Sequence, residues 1–249
     1  DVVVVWDEGG KFTGADRLRC PLVTYICDGW PNAYTNMEAL PADARFTMMP
    51  YGVRLHPDDA FARGWRYLPG ACSPSRHPWL TPPPAPDPRS VDVCLLGGLY
   101  PERARLAEEL RALGKIAITG QVDYDAYAQI LNNSLTLVAH TNAQAYVMWR
   151  VFEAMSMGAV VIIDGEDPRT RRQMAMLGFV DGTHYLSAHA DESGSFPTTD
   201  QVLHCVEMLR SDAALHARIQ AAAFQLVRAR HTYAHRAAAV LRAVGLIEG

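Results

Sequence analysis

Arg150 and Glu153 stand three residues apart in Arg150-Val-Phe-Glu153-Ala-Met-Ser-Met-Gly158-Ala-Val-Val-Ile-Ile. The stretch reads as a short helix, a glycine stop and a fully buried strand. Residues at that spacing are neighbours on one helix face. A guanidinium and a carboxylate side by side near a helix start, beside a parallel sheet, can hold a phosphate and a ribose. The arginine and the exposed amides meet the anion, and the carboxylate accepts both hydroxyls of a diol. This is the chemistry of nucleotide sugars. The plainer use of the same pair is an intrahelical ion pair, stabilising by roughly 0.2–0.5 kcal/mol.

Other polar groups fall where they could join that site. Gly97-Gly98 ends an apolar run, with Tyr100 next and Arg103 and Arg105 in the first turns of a helix. Paired glycines let a backbone come close to phosphate. Arg103 and Arg105 are therefore further candidate phosphate ligands, and Tyr100 a group to pack on a sugar or base. A solvated helix face balanced by Glu102, Glu108 and Glu109 is the alternative. No Walker or full GxGxxG pattern surrounds the glycines. Gly120 and Gln121 follow the next strand and could read a base through backbone groups. His140, Thr141 and Asn142 end another strand, suited to touch sugar or diphosphate and equally to cap a loop. In the first part, Asp28 follows the run Leu22–Cys27 and could serve as an acceptor-side group or base, or simply start a turn.

Two metal-like patterns are read as structural. Asp123-Tyr-Asp125 spells DxD, but Asp123 sits where a helix N-cap belongs. His231 and His235 are spaced like a zinc pair, yet Thr232 stands where HExxH needs glutamate, and no third ligand is evident. No metal site is expected.

The elements that must position these groups come in two styles. Val2–Trp6, Leu22–Cys27, Arg45–Met48 and the weaker Trp65–Leu68 read as short buried strands with irregular connections. His77-Pro-Trp-Leu-Thr-Pro-Pro-Pro-Ala-Pro-Asp-Pro88 is too proline-dense for helix or central strand and reads as a linker. Thereafter strands and helices alternate. Val91–Leu96, Ile116–Thr119, Leu135–Ala139 and Val160–Ile163 are strands, and helices begin at Pro101 and Asp123, around Arg150, and from Gln201 onward. The last helix is His231–Val244. Such alternation implies a parallel sheet with right-handed crossovers, binding ligands outside the carboxyl ends of its strands. That rule selects the loops at 97–100, 120–123, 140–142 and 165–167. The expected division is 1–76, a partial Rossmann-like domain; 77–90, the linker; 91–230, the nucleotide-sugar-binding domain; and 231–249, the final helix.

With 249 residues, 49% of them hydrophobic and 20% charged, the chain can bury a real core. A net charge of -4 argues against a nucleic-acid partner. No apolar run approaches the roughly 20 residues a membrane helix needs. Cys20, Cys27, Cys72, Cys94 and Cys205 are odd in number and form no CxxC pair, which fits reduced thiols in the cytoplasm. The chain opens on Asp1 inside an apparent strand without an initiating methionine. It therefore reads as a piece whose missing N-terminal part would be one of its partners.

Four passages carry a family resemblance: Tyr67-Leu-Pro-Gly-Ala-Cys-Ser-Pro-Ser-Arg-His77-Pro78, Val91-Asp-Val-Cys-Leu-Leu-Gly-Gly-Leu-Tyr-Pro-Glu-Arg103, Arg150-Val-Phe-Glu153-Ala-Met-Ser-Met-Gly158 and His231-Thr-Tyr-Ala-His-Arg236. In order and spacing they resemble the nucleotide-binding half of a GT-B glycosyltransferase. More narrowly they are similar to the CgeB-type spore-maturation enzymes, relatives of the retaining group-1 transferases. The resemblance implies an α/β fold of two Rossmann-like parallel-sheet domains facing across a cleft, the N-terminal one short or truncated here. It implies transfer of a sugar from a nucleoside diphosphate donor, a UDP-sugar first among them, to a glycan, protein or small-molecule acceptor. Retention of configuration, no cofactor and no metal are implied as well, with the last helix crossing back onto the first domain. Arg150, and with it Arg103, would take the diphosphate, and Glu153 the ribose.

Two features depart from the pattern. The group-1 enzymes carry two glutamates separated by seven residues. Glu153 matches the second, whereas Ala145, with Gln144 beside it, stands at the first. Some 70 residues are also too few for a whole Rossmann half of about 100–150. A noncatalytic nucleotide- or partner-binding module of the same fold, and a nucleotide-sugar epimerase, are the competing readings.

Overall fold

Four apolar runs near the N-terminus pair into one parallel sheet, and five later ones form a second. The computed structural model of the chain describes residues 1–6, 15–27, 33–48, 61–79, 89–97, 101–139, 147–165, 167–188 and 197–248. The chain divides into two units, one drawn from Asp1–Gly70 and Tyr233–Gly249, the other from Ala71–Thr141 and Val147–Thr232.

In the first unit, β1 (Val3–Trp6), β2 (Leu22–Ile26), β3 (Ala44–Thr47) and β4 (Trp65–Tyr67) lie side by side in sequence order. Every pairing is parallel. The two-residue period of β2 sends its side chains to opposite faces. Ile26 packs with Met37 and Trp65, and Met37 comes from the short helix α1 (Ala33–Glu38). Val23, with Ala44 and Phe46, packs against Val240, Ala243 and Val244 at the end of the chain. The final helix, Tyr233–Ala243, thus belongs to this unit. Its Arg236 donates to the carbonyls of Pro69 (2.9 Å) and Gly70 (2.8 Å).

The second unit is built on β5 (Val91–Leu96), β6 (Ala117–Gly120), β7 (Ser134–Ala139), β8 (Val160–Asp164) and β9 (Leu186–Ala188), in the order β6-β5-β7-β8-β9. All pairings are parallel. Its helices are α2 (Pro101–Ala112), α3 (Tyr124–Asn132), α4 (Trp149–Ser156), α5 (Pro168–Met176), α6 (Thr199–Ser211) and α7 (Ala213–Arg230); the Tyr233–Ala243 helix is α8. β7 and β8 are buried at every position, as strands covered on both faces must be. Val93, Leu95, Leu135, Val160 and Ile162 pack with Leu106 and Leu110 of α2 and with Val202, Val206 and Leu209 of α6. From β5 the chain moves to β6 on one side, then to β7 on the other. The strand order reverses at β5, where sheets of this kind open a crevice at their carboxyl ends.

The structure adds elements to the sequence reading, α5 and β9 among them, and refines the helices at the C-terminal end. α5 is largely polar and buries only Thr170, Gln173 and Met174. With no apolar stripe, it gives no helical period. It is set by its start, where Asp167 accepts from the Arg169 amide at 2.8 Å and Pro168 opens the helix. β9 has three residues, too short for any period to register. The helical stretch after Gln201 is broken at Asp212, whose carboxylate caps α7 by accepting from the Leu215 amide at 2.9 Å. The last helix starts at Tyr233 rather than His231.

None of the five cysteines is in a disulfide, and Cys27, Cys72, Cys94 and Cys205 are buried. Among the described residues, no helix is long and apolar enough to cross a membrane. Of the proline-dense stretch, 80–88 fall outside the described residues, while Trp79 packs edge-on against Phe224 of α7, centroids 5.0 Å apart.

Candidate active site

The position of α4 is set by the turn that ends it. Gly158 has φ +78°, and a Cβ there would come within 2.7 Å of Trp79 Nε1 and Arg89 Nη2. Only glycine combines that backbone conformation with that proximity. Gln220 of α7 donates to the Gly158 carbonyl at 2.7 Å, and Arg89 donates to those of Ser134 (2.7 Å) and Met157 (3.2 Å). The C-terminal end of α4 and the start of β7 are thereby fastened together. α4 buries Val151, Phe152, Ala154, Met155 and Ser156, leaving Arg150 near its start facing the carboxyl ends of the strands.

A cleft of about 280 Å³ opens there, lined by Leu96 and Gly97 at the end of β5, Gly120, Gln121 and Val122 at the end of β6, Tyr127 of α3 and Arg150 of α4. Gly97 has φ +122°. A Cβ on it would lie 2.8 Å from Arg103 Nη1 and 2.9 Å from Arg150 Cζ. Two guanidinium groups therefore converge on one glycine at the mouth of the sheet. Arg103 is 4% exposed and donates to the Leu96 carbonyl at 3.2 Å, so it supports the cleft from behind. Arg150 is the guanidinium on the cleft wall.

Glu153 lies one turn further along α4, with its side chain 12% exposed. One carboxylate oxygen, Oε2, accepts a short hydrogen bond from the Tyr127 hydroxyl. The other faces His77 Nε2 at 3.7 Å. Burial raises the Glu153 pKa, partly offset by the Tyr127 hydrogen bond and the Arg150 charge. Tyr127 is also raised, by burial and then by the Glu153 charge. His77 is pushed down to about 4, by burial and then by the charges of Arg76 and Arg228. The imidazole is thus neutral near pH 7. Its Nδ1 accepts from the Ser73 amide at 3.0 Å, which leaves the ring proton on Nε2, toward Glu153.

Of the residues singled out in the sequence, Gly97, Gly120, Gln121 and Arg150 come together in one cleft, with Arg103 bonded to the Leu96 carbonyl and Glu153 to the Tyr127 hydroxyl at its wall. Gly98, Tyr100, His140, Thr141, Asn142 and Asp28 lie outside the described residues, as do Gln144 and Ala145. Arg105 is exposed and reaches Glu109 at 3.9 Å, so it belongs to the solvated face of α2. Asp123 caps α3, accepting from the Ala126 amide at 2.8 Å. His231 is buried, its ring stacked on Phe179 with centroids 5.3 Å apart and its Nε2 2.9 Å from the Leu177 carbonyl. Among the described residues, no three His, Cys, Asp or Glu are grouped to hold a metal ion.

Sequence reasoning did not single out Tyr127 or His77. Tyr127 follows the Asp123 cap by four residues, one turn. That spacing would have aimed it at whatever packs above α3, had the neighbour been known. His77 carried no signal beyond its place in the Tyr67–Pro78 passage.

Comparison with known proteins bears on the same unit. Residues 84–242 match the model of a family described as glycosyl transferase-like. No curated protein matches the sequence. Solved structures are similar in fold at low identity. Sucrose-phosphate synthase from Thermosynechococcus elongatus aligns with a TM-score of 0.59 at 13% identity, over 91% of this chain and 68% of its own. Anabaena Alr3699/HepE in complex with UDP-glucose gives 0.64 at 12%, over 92% and 73%. An alpha-glucosyltransferase in complex with UDP-glucose and DNA containing an abasic site gives 0.62 at 9%, over 98% and 80%. Two parallel sheets of four and five strands with these likenesses make the fold GT-B-like.

Proposed function

From the premise that the chain belongs to the glycosyl transferase-like family, we propose that it moves a sugar from a UDP-sugar to an acceptor, with the donor diphosphate in the cleft at the ends of β5 and β6. The observation that carries this reading is the convergence of Arg150 and Arg103 on Gly97. A leaving diphosphate gathers negative charge, and fixed positive groups placed where it gathers lower the barrier. Arg150 would take the phosphate oxygens directly. Arg103 would add its field from behind the glycine, and the start of α4 its amide dipoles. Glu153 would hold the ribose hydroxyls, and Gln121 and Val122 would border the nucleoside. UDP-glucose, present in two of the solved structures of the same fold, supports a uridine donor. The cleft's volume is near the lower end of small-molecule sites, roughly 300–1,000 Å³.

We further infer retention of configuration, on the resemblance to the group-1 transferases. The reaction would need no metal, because the arginines supply the positive charge. Rate enhancement would come mainly from positioning and from stabilising the departing UDP. The test is incubation with UDP-sugars in water, with and without EDTA. Slow release of UDP, unchanged by EDTA and giving a free sugar of the donor's anomeric form, is the expected result. Binding of UDP without any release would favour a noncatalytic module. Isomerised UDP-sugar without release would favour an epimerase.

A further inference from the structure

The hydroxyl of Tyr127 on α3 reaches α4 at the site, and it ends on the carboxylate proposed to hold the donor ribose. The same residue is part of the cleft wall, as is Arg150. One side chain therefore touches both the cleft and the Glu153 carboxylate. Asp123 fixes where α3 begins, and its cap places Tyr127 in the first full turn, over the ends of β5 and β6.

Glu153 has few ways to be held. Its backbone belongs to α4, its Oε2 is taken by Tyr127, and its Oε1 faces an imidazole whose proton lies on the near nitrogen. A glutamate with three side-chain torsions settles in one orientation only when its oxygens are fixed from outside. Among the described residues, the Tyr127 hydrogen bond is the direct contact that does so. The His77 nitrogen, at 3.7 Å, lies beyond ordinary hydrogen-bond range.

We infer that Tyr127 is a positioning residue for ribose recognition: its hydroxyl orients the Glu153 carboxylate toward the sugar hydroxyls, while its ring borders the nucleotide. The inference rests on the donor-site reading above and deepens it. It separates two tasks in one cleft, diphosphate binding by Arg150 and ribonucleotide selection by Tyr127 acting through Glu153. The ligand it selects is a nucleotide with both ribose hydroxyls free.

Tyr127→Phe keeps the ring and removes only the hydroxyl. Calorimetry with UDP and with 2′,3′-dideoxy-UDP reads the two tasks separately. In Tyr127→Phe, UDP affinity is expected to fall about tenfold, as for a lost hydrogen bond to a charged group. Affinity for the dideoxy compound should stay within about twofold, since that ligand lacks the hydroxyls concerned. Adding Glu153→Gln to Tyr127→Phe should cost little more, because the two residues act as one unit. A purely structural role would lower both affinities together.

If Tyr127→Phe does not fold, 3-fluorotyrosine at position 127 of the intact chain gives the same answer. Its fluorine resonance should move on adding either nucleotide, since the ring borders both, and further on adding UDP than on adding dideoxy-UDP. A Tyr127→Phe chain that keeps the preference for UDP over dideoxy-UDP, or equal resonance shifts, would overturn this inference alone, whereas an intact chain with no such preference would overturn the ribose role of Glu153 with it. An intact chain that binds neither nucleotide would overturn the donor-site reading with it.

Discussion

Alanine at position 150 is expected to lower sugar transfer by about 10²–10³-fold, the loss seen when one fixed donor to a developing oxyanion is removed. UDP binding is expected to weaken by roughly 1.5–3 kcal/mol, as for a hydrogen bond to a charged group. The effect is large because Arg103, the other guanidinium beside Gly97 among the described residues, cannot substitute. Arg103 is buried and already engaged with the Leu96 carbonyl, so it cannot swing into the cleft. Arg150, by contrast, stands on the cleft wall, and its removal leaves the packed side of α4 intact. Thermal stability should therefore change little while binding and turnover both fall. Arg150→Lys should recover only part of the loss, because an ammonium lacks the planar fork that matches two phosphate oxygens. Calorimetry with UDP and a UDP-release assay measure the two quantities. Unchanged affinity with unchanged release would remove Arg150 from the site.

The second large effect is on stability. Arg89→Leu is expected to destabilise the second unit by about 3 kcal/mol, lowering its thermal midpoint by roughly 6–12 °C. Arg89 is 3% exposed, and its guanidinium serves the carbonyls of Ser134, Met157 and, at 3.4 Å, Leu131. These are the end of α3, the start of β7 and the end of α4, three chain segments tied at one point. Leucine leaves those acceptors buried without that donor, each at a cost of order 1–3 kcal/mol before relaxation. It also vacates the space beside Trp79, whose ring centroid lies 6.0 Å from Arg89 Cζ. Below the transition, UDP binding should be nearly normal, since Arg89 does not line the cleft. A midpoint within 2 °C or so of the parent would show that those carbonyls find other partners.

What the sequence disclosed and what it withheld divide along physical lines. The βα alternation after Val91 was legible because buried parallel strands are continuous apolar runs, and the glycines at their ends mark the crevice. Arg150 and Glu153 were legible as neighbours because helical spacing is local information. Their different fates were not. The first lines the cleft and the second is hydrogen-bonded to Tyr127 on its wall, and this depends on how α3 packs beside α4, which no local pattern encodes. Arg103 illustrates the same limit. Its place after Gly97-Gly98 was readable, but the turn of its side chain back to the Leu96 carbonyl was not. His231 carried zinc-like spacing, whereas its ring is held by Phe179 and Phe152, aromatic residues far away in sequence. α5 escaped notice because a helix that buries two polar residues and a methionine has no apolar stripe to read.

The most direct test of the donor site is a crystal structure of the chain with UDP bound. The account predicts the diphosphate at the carboxyl ends of β5 and β6, with a phosphate oxygen about 2.7–2.9 Å from the Arg150 guanidinium and passing close over Gly97. UDP bound elsewhere, or bound here with Arg150 turned away from the phosphates, would contradict it.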